Sequence, residues 1–563
     1  CSTRARSGPD RQLPKRGLSG DRCVLQTIGI MPRSTTTTRP SPLSPEATAD
    51  VWSRAAGAAP ALLWAGLFLL AWLVMTLIFT VNISLHRTAY NSDLIHPFML
   101  FEDLLSDPTA ITTWQLSPAI YVFPDWPLAA LLVASPLPNV ALPLVYGGFL
   151  LASYGFLIGW LLVAMRTARW PEAVLWGCLL IAGLFMASNS SPIGLGGTYL
   201  SFIATPYIHS GAVLSGMLLI PLMIEVFHGQ AVGQRRAIWL ASVLVPLACY
   251  SDLVFVAWFA APVCVALLIA PTEMPRWKKL RFITGLAAVS LLAVAADQLR
   301  PSRLSAVLDH NLWKGMVVWR ELLRQSVAGG QWQIWLPLAI MLLMAGRGVW
   351  LVLASRSSAP SRRRSVELAV IFATVGSFVL PFLAGSMIHE SKLRYVLPVL
   401  FLPWVWLLLL ASRLTTPERR PGLQAAGVAL AIGCLPLLPK VSQAVTRIEA
   451  TQKLQKTLEA ENLRAGYGDY WTAKPAMFET DRRVHCIPLY RDGRLDDRNY
   501  NGRWFTQRAD GGGAIEPTFV VTSRLDQATL RRLFGEPARI VKFKKDQFVW
   551  IYDEPLPLIR RRP

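Results

Sequence analysis

Residues 58–81 read AAPALLWAGLFLLAWLVMTLIFTV, and residues 138–165 read PNVALPLVYGGFLLASYGFLIGWLLVAM. Neither run holds a charged side chain. A bilayer core about 30 Å thick needs about 20 apolar helical residues to cross it. Both runs are long enough, so both are read as membrane-spanning helices. Further spans are read at 171–188, 208–228, 237–251, 253–271, 282–299, 327–346, 365–388, 395–412 and 422–439. Only Asp252 separates the fifth from the sixth, which therefore form a tight hairpin or a broken helix. The fold class expected is an α-helical polytopic membrane protein with about eleven transmembrane helices across 58–440.

The composition agrees. Of 563 residues, 53% are hydrophobic and only 16% are charged, against about a quarter charged in soluble chains. This excludes a disordered chain and a wholly soluble enzyme. The 56 basic and 35 acidic residues leave a net charge of +21. In a membrane protein that excess is topological, and nucleic acid is not an expected partner. Seven cysteines are scattered without a Cys-x-x-Cys pair, so neither a disulfide framework nor a zinc site is expected. The stretch Cys1–Ile30 is Arg-, Gly-, Ser- and Pro-rich and starts without Met; translation is expected to start at Met31. Residues 1–57 are expected to be disordered.

Lys and Arg positions give an orientation. One set of loops and span ends carries sixteen, among them Arg166, Arg235, Lys278, Arg363 and Arg419; the opposite set carries eight. The positive-inside rule makes the richer set cytoplasmic. The N-terminus is then cytoplasmic, and an odd span count puts the tail outside, as in a bacterial inner membrane. That tail, 441–563, is far more polar. It reads as a small α/β domain, with an amphipathic helix over Val441–Ala460 and strands at Phe519–Thr522, Ile540–Phe543 and Phe548–Tyr552. Gly466–Trp471 reads as a turn with core aromatics. The tail has no Gly-rich phosphate loop and no nucleophile elbow, so the main chemistry is not placed there.

The first outside loop, 82–128, reads NISLHRTAYNSDLIHPFMLFEDLLSDPTAITTWQLSPAIYVFPDWPL. It is long for a connection between spans and holds Asp93, Glu102, Asp103, Asp107 and Asp125. Carboxylates at a membrane mouth are costly and tend to be functional. Asp93 is the preferred catalytic residue, with Glu102, Asp103 and Asp125 as secondary acids. Asp107 lies in Ser106-Asp107-Pro108, a turn and cap signal. A second stretch, His389-Glu390-Ser391-Lys392-Leu393-Arg394-Tyr395, opens the tenth span. Its Lys392 and Arg394 run against the charge bias. They offer a point charge and a fork donor to a phosphate, or they snorkel to headgroups.

Together these stretches resemble the GT-C glycosyltransferases that use polyprenyl-phosphate sugars, near the aminoarabinose transferases and protein O-mannosyltransferases. The resemblance rests on Asp93 after the first span, Trp114, Phe123-Pro124-Asp125-Trp126-Pro127, and the late Arg394, Tyr395 and Pro398. The family's usual acid pair is here Asn91-Ser92-Asp93, with a single acid. The resemblance implies an enzyme that moves a hexose or pentose from a polyprenyl-phosphate donor to an envelope acceptor on the outer face, with inversion. Asp93 would be the base. Arg394, Lys392 and Tyr395 would hold the donor phosphate, and Trp114, Asp252 and His389 would line the acceptor cavity. Its partners would be the lipid-linked sugar, a glycan, lipid or protein acceptor, and membrane lipids. No cofactor or divalent metal is expected. Two other readings are a transporter or flippase for a lipid-linked glycan, and a non-catalytic scaffold of envelope assembly. The near-absence of mid-span charge and of internal repeats disfavours the transporter.

Overall fold

The computed structural model describes residues 45–81, 92–117, 119–165, 167–188, 202–298, 312–330, 332–355, 359–383, 394–414, 452–511 and 513–559. The chain divides into two units, Cys1–Leu63 and Trp64–Pro563. The first contributes the start of helix α1 (Pro45–Val81), which begins well before residue 58. Residues 1–44, including the expected start at Met31, lie outside the described residues.

The second unit is predominantly helical. After α1 come α2 (Ser92–Ser106), α3 (Asp125–Val133), α4 (Leu142–Ala164), α5 (Trp170–Ser188), α6 (Ser210–His228) and α7 (Ala231–Ser251). Then follow α8 (Ala261–Ile269), α9 (Arg276–Gln298), α10 (Leu312–Ala328), α11 (Trp332–Ser355), α12 (Arg362–Leu383) and α13 (Leu397–Leu414). Close van der Waals packing holds membrane helices together, and small residues let backbones approach closely. A Cβ at Gly177 would lie 2.0 Å from the Gly155 carbonyl oxygen, so only glycine permits the α4–α5 contact. Leucines remain on the surface, such as Leu291 and Leu342 at 68% and 70% exposure. In water that would be a liability; against lipid it costs nothing.

Among the described residues, seven helices are long and apolar enough to cross a membrane. They lie at Leu62–Val81, Asn139–Ala164, Ser210–His228, Arg276–Ala296, Trp332–Ala354, Arg362–Leu383 and Arg394–Ser412. The expected count of eleven is therefore corrected. The runs at 171–188 and 253–271 contain only the shorter apolar helices Trp170–Met186 and Val256–Ile269. The run at 237–251 is the apolar end of α7, whose start carries Arg235 and Arg236. The run at 422–439 lies outside the described residues. At Asp252 the chain is extended, then re-enters a helix through a π turn at Val256–Ala260, so the break falls at that acid.

The tail is the small α/β unit expected. After α14 (Lys453–Ala460) come β1 (Ala465–Asp469), α15 (Tyr470–Glu479), β2 (His485–Leu489), β3 (Phe519–Val521), α16 (Gln527–Phe534), β4 (Arg539–Lys544) and β5 (Gln547–Ile551). The sheet order is β2-β1-β3-β5-β4. β1 pairs in parallel with β2 and β3, while β5 pairs antiparallel with β3 and β4. Gly466–Trp471 is thus not a turn but an interior strand running into a helix. Asp469 caps that helix by accepting from the Trp471 N–H at 3.0 Å.

The tail sits on the loop after α1. Helix α15 packs between β2 and α2. The Gly502 N–H donates to the Thr113 carbonyl at 2.8 Å, and the Gln115 N–H to the Tyr500 carbonyl at 3.0 Å. Loop and tail therefore share one face of the molecule.

Candidate active site

Helix α2 begins at Ser92 and Asp93. A carboxylate in a first helical turn is favoured by the helix dipole. The Tyr470 hydroxyl donates to Asp93 Oδ1 at 2.5 Å. Asn499 Nδ2 lies 3.4 Å from the same oxygen and 3.2 Å from the Tyr470 hydroxyl. The Ser92 hydroxyl donates to the Tyr470 carbonyl, which locks the two helix starts together. Burial and the neighbouring Asp93 charge hold the Tyr470 phenol well above its ordinary value, so it stays a donor.

Two cations flank the Tyr470 ring, with Lys474 Nζ and Arg498 Cζ each 5.1 Å from its centroid. Lys474 is fully buried and donates to the Asn499 carbonyl. Burial pulls its ammonium down to about 7, against the opposing charges of Asp93 and Asp496. Burial, then the Lys474 charge, hold His96 well below its usual value, so its ring is neutral. Arg394 stands in the turn that opens α13, and Asp93 lies within its electrostatic reach. The two stretches singled out in the sequence thus converge here.

The other acids of α2 are engaged differently. Arg482 of the tail pairs with Glu102 at 2.8 Å and with Asp103. Asp103 also accepts from Trp114 Nε1 at 2.9 Å and from Asn501 Nδ2 at 2.6 Å. Burial raises the Glu102 carboxyl, and Arg482 opposes that shift. These two acids clamp loop to tail. Trp114 belongs to the same clamp: it is buried, with His96 and Trp504 ring centroids 4.9 and 5.0 Å away. Asp107 caps a 3-10 turn through the Thr109 N–H at 2.9 Å and pairs with Arg503 at 2.6 Å. The Thr109 hydroxyl, then Arg503, hold its carboxyl at about 2.

Asp125 and Asp252 lie in a buried polar cluster. Asp125 Oδ1 accepts from the Tyr146 hydroxyl at 2.6 Å and the Tyr207 N–H at 3.1 Å. A Cβ at Gly211 would come within 2.7 Å of Asp125 Oδ2, so glycine lets the start of α6 close on this carboxylate. Asp252 Oδ1 accepts from the Val254 N–H at 3.2 Å, a capping contact, and Oδ2 lies 2.6 Å from His209 Nδ1.

Lys392 and His389 lie outside the described residues. Sequence reasoning missed Lys474, Asn499 and His209, and took Tyr470 for a core aromatic. One signal was present: Lys474 interrupts an otherwise apolar stretch, Ala473-Lys474-Pro475-Ala476-Met477. Among the described residues, no three His, Cys, Asp or Glu side chains are grouped so as to hold a metal ion. No family model, curated protein or solved structure matches the chain.

Proposed function

We propose that this protein is a membrane glycosyltransferase, moving a sugar from a polyprenyl-phosphate donor to an envelope acceptor with inversion. The observation that carries the reading is the Asp93 carboxylate held by the Tyr470 and Asn499 donors, with Arg394, 301 positions later in the chain (394 − 93), in electrostatic reach. A carboxylate within electrostatic reach of a guanidinium serves both halves of the reaction. Asp93 takes the proton of the acceptor hydroxyl as it attacks the anomeric carbon. Arg394 stabilises the phosphate that leaves from the opposite side. The Tyr470 and Asn499 donors hold the Asp93 carboxylate in place for that attack.

A lipid path supports the same reading. An apolar groove of about 500 Å³ runs between α1, α3, α4 and α6, lined by Phe68, Phe123, Pro127, Leu131, Phe149 and Leu218. It reaches Phe123 and Pro124, next to buried Asp125, and suits a polyprenyl chain. The sixteen-to-eight charge split read from the sequence supports a loop-and-tail face outside the cytoplasm of a bacterial inner membrane. A periplasm-specific reporter fused after Pro563 should then be active.

Mass spectrometry of envelope glycans and lipids, with and without the gene, tests the activity. A hexose- or pentose-sized mass should disappear when the gene is deleted and return with the wild-type chain but not with Asp93→Asn. Unchanged envelope masses would refute the glycosyltransferase and leave the flippase or the scaffold.

A further inference from the structure

Behind Arg394 lies a second acid–base pair with its own enclosure. His209 and Asp252 are 4% and 3% exposed and meet at 2.6 Å through Nδ1 and Oδ2. That length marks a charge-assisted contact. The Asp252 carboxylate cannot swing, because its other oxygen accepts from the Val254 N–H at 3.2 Å. The imidazole is boxed by aromatic rings: Tyr395, Trp258 and Tyr121 have centroids 5.0, 5.6 and 5.8 Å away. Trp258 Nε1 donates to the Tyr395 carbonyl at 2.8 Å, which ties the box to the residue after Arg394.

The backbone here is held in an unfavourable state. Tyr121, Tyr207 and His209 have φ of 52°, 59° and 60°, although none is glycine. Such conformations are costly and persist where the surroundings over-determine them. Asp125 supplies part of that hold through the Tyr207 N–H at 3.1 Å. The strain places three rings together: Tyr121 lies 4.8 Å from Tyr207 and 5.8 Å from His209.

Charge and geometry then point one way. With Nδ1 turned to Asp252, the ring's other nitrogen, Nε2, has no hydrogen-bond partner among the described residues. The Arg394 Cζ lies 5.4 Å from the Tyr395 ring that His209 also contacts, and Tyr121 lies within electrostatic reach of both Arg394 and Asp252. Arg394 Nε is buried without a partner. Two ring or guanidinium nitrogens without a protein partner among the described residues, His209 Nε2 and Arg394 Nε, therefore lie near one tyrosine.

We infer that His209, oriented by Asp252, is a second ligand of the donor phosphate and shares it with Arg394. The inference rests on the glycosyltransferase reading and deepens it. Asp252 is then a positioning residue rather than part of an acceptor cavity. In transfer, the bond from acceptor oxygen to the anomeric carbon forms. The bond from that carbon to the phosphate oxygen breaks, and its electron pair goes to the phosphate. The acceptor proton goes to Asp93. His209 donates a stronger hydrogen bond through Nε2 to the more highly charged product, polyprenyl phosphate.

The test measures binding of polyprenyl phosphate to the full-length protein in detergent micelles. Asn in place of His209 puts an amide N–H near Nδ1 and keeps the Asp252 contact; Gln puts one near Nε2 and keeps the phosphate contact. His209→Asn should weaken binding about tenfold to a hundredfold, the loss of one charge-assisted hydrogen bond, while His209→Gln should lose less. A brace between α6 and Asp252 would give the reverse: unchanged binding in His209→Asn overturns the inference. If Arg394→Ala weakens binding and His209→Asn does not, only the His209 assignment falls. If neither does, both phosphate assignments fall, and the envelope masses still judge the activity. A readout without substitution in the sample guards against misfolding. In the wild-type chain labelled with ¹⁵N-histidine, the Nε2 signal absent from His209→Gln should shift when polyprenyl phosphate is added. An unmoved signal refutes the contact.

Discussion

The two ends of helix α2 carry the same kind of side chain and meet opposite surroundings. At its C-terminal end, Glu102 and Asp103 are neutralised by Arg482, and Asp103 is further saturated by Trp114 and Asn501. At its N-terminal end, Asp93 meets a tyrosine hydroxyl and an asparagine amide, with Lys474 and Arg394 in electrostatic range. A carboxylate locked in a guanidinium fork is a poor base, because its lone pairs are committed and its charge is spent. A carboxylate that accepts from a tyrosine hydroxyl and an asparagine amide is oriented by those donors. The contrast teaches that position on the helix matters less than which tail residue arrives opposite.

The sharpest way to break this comparison is to neutralise one end at a time. Asp93→Asn should lower sugar transfer by about 10²–10⁴-fold, the usual loss of a general base, at unchanged protein level. Asp103→Asn should spare the chemistry of the surviving protein. Equal transfer by both variants in a membrane assay would erase the distinction.

Arg482→Ala attacks the clamp. It strands two carboxylates, one of them 8% exposed, and uncompensated buried charges cost about 3–5 kcal/mol. With Glu102 and Arg482 partly solvated, the low end or less is expected. Thermal unfolding should shift down by several degrees, and the loop–tail contact should become sensitive to protease. An unchanged melting temperature would show that the clamp contributes little.

A smaller effect sharpens the other end. Burial lowers Lys474 to about 7 from an ordinary 10.5. A lysine with a lowered folded value favours the fold at high pH and penalises it as pH falls from about 10.5 toward 7. Glu479 of the same helix, pushed up to about 8 by burial, runs the other way: its penalty grows as pH rises toward 8 and is complete above it. Between pH 8.5 and 10, then, stability of the wild-type chain should rise with pH, and Lys474→Met should flatten the rise. An equal slope in both, followed by thermal unfolding, would remove Lys474 as its source.

The smallest effect is expected at Asp107. It is a cap and a surface ion pair, and such pairs contribute little. Asp107→Asn should leave sugar transfer within about twofold of wild type. A large loss would move the functional acid away from Asp93.

The amino-acid sequence by itself determined the helical membrane class, because long apolar runs are a local property that water penalises wherever they lie. It also determined the strands near Phe519–Val521, Arg539–Lys544 and Gln547–Ile551, since β-rich segments announce themselves over a few residues. Ser106-Asp107-Pro108 was legible as a cap for the same reason. Tertiary structure decided the rest. The run at 237–251 proved to be the end of a helix whose start is cationic, and 253–271 a shorter helix after a break, so apolar length alone overcounted the spans. β1 was hidden because Gly466 and Gly468 weaken the strand pattern, and only its parallel partners β2 and β3 make it an interior strand. The meeting of Asp93 with Tyr470, 377 residues along, and of His209 with Asp252, had no local signature. Their proximity follows from packing α15 on α2 and α6 beside the break at Asp252, and a pair joined only by such packing leaves no period or spacing in the chain.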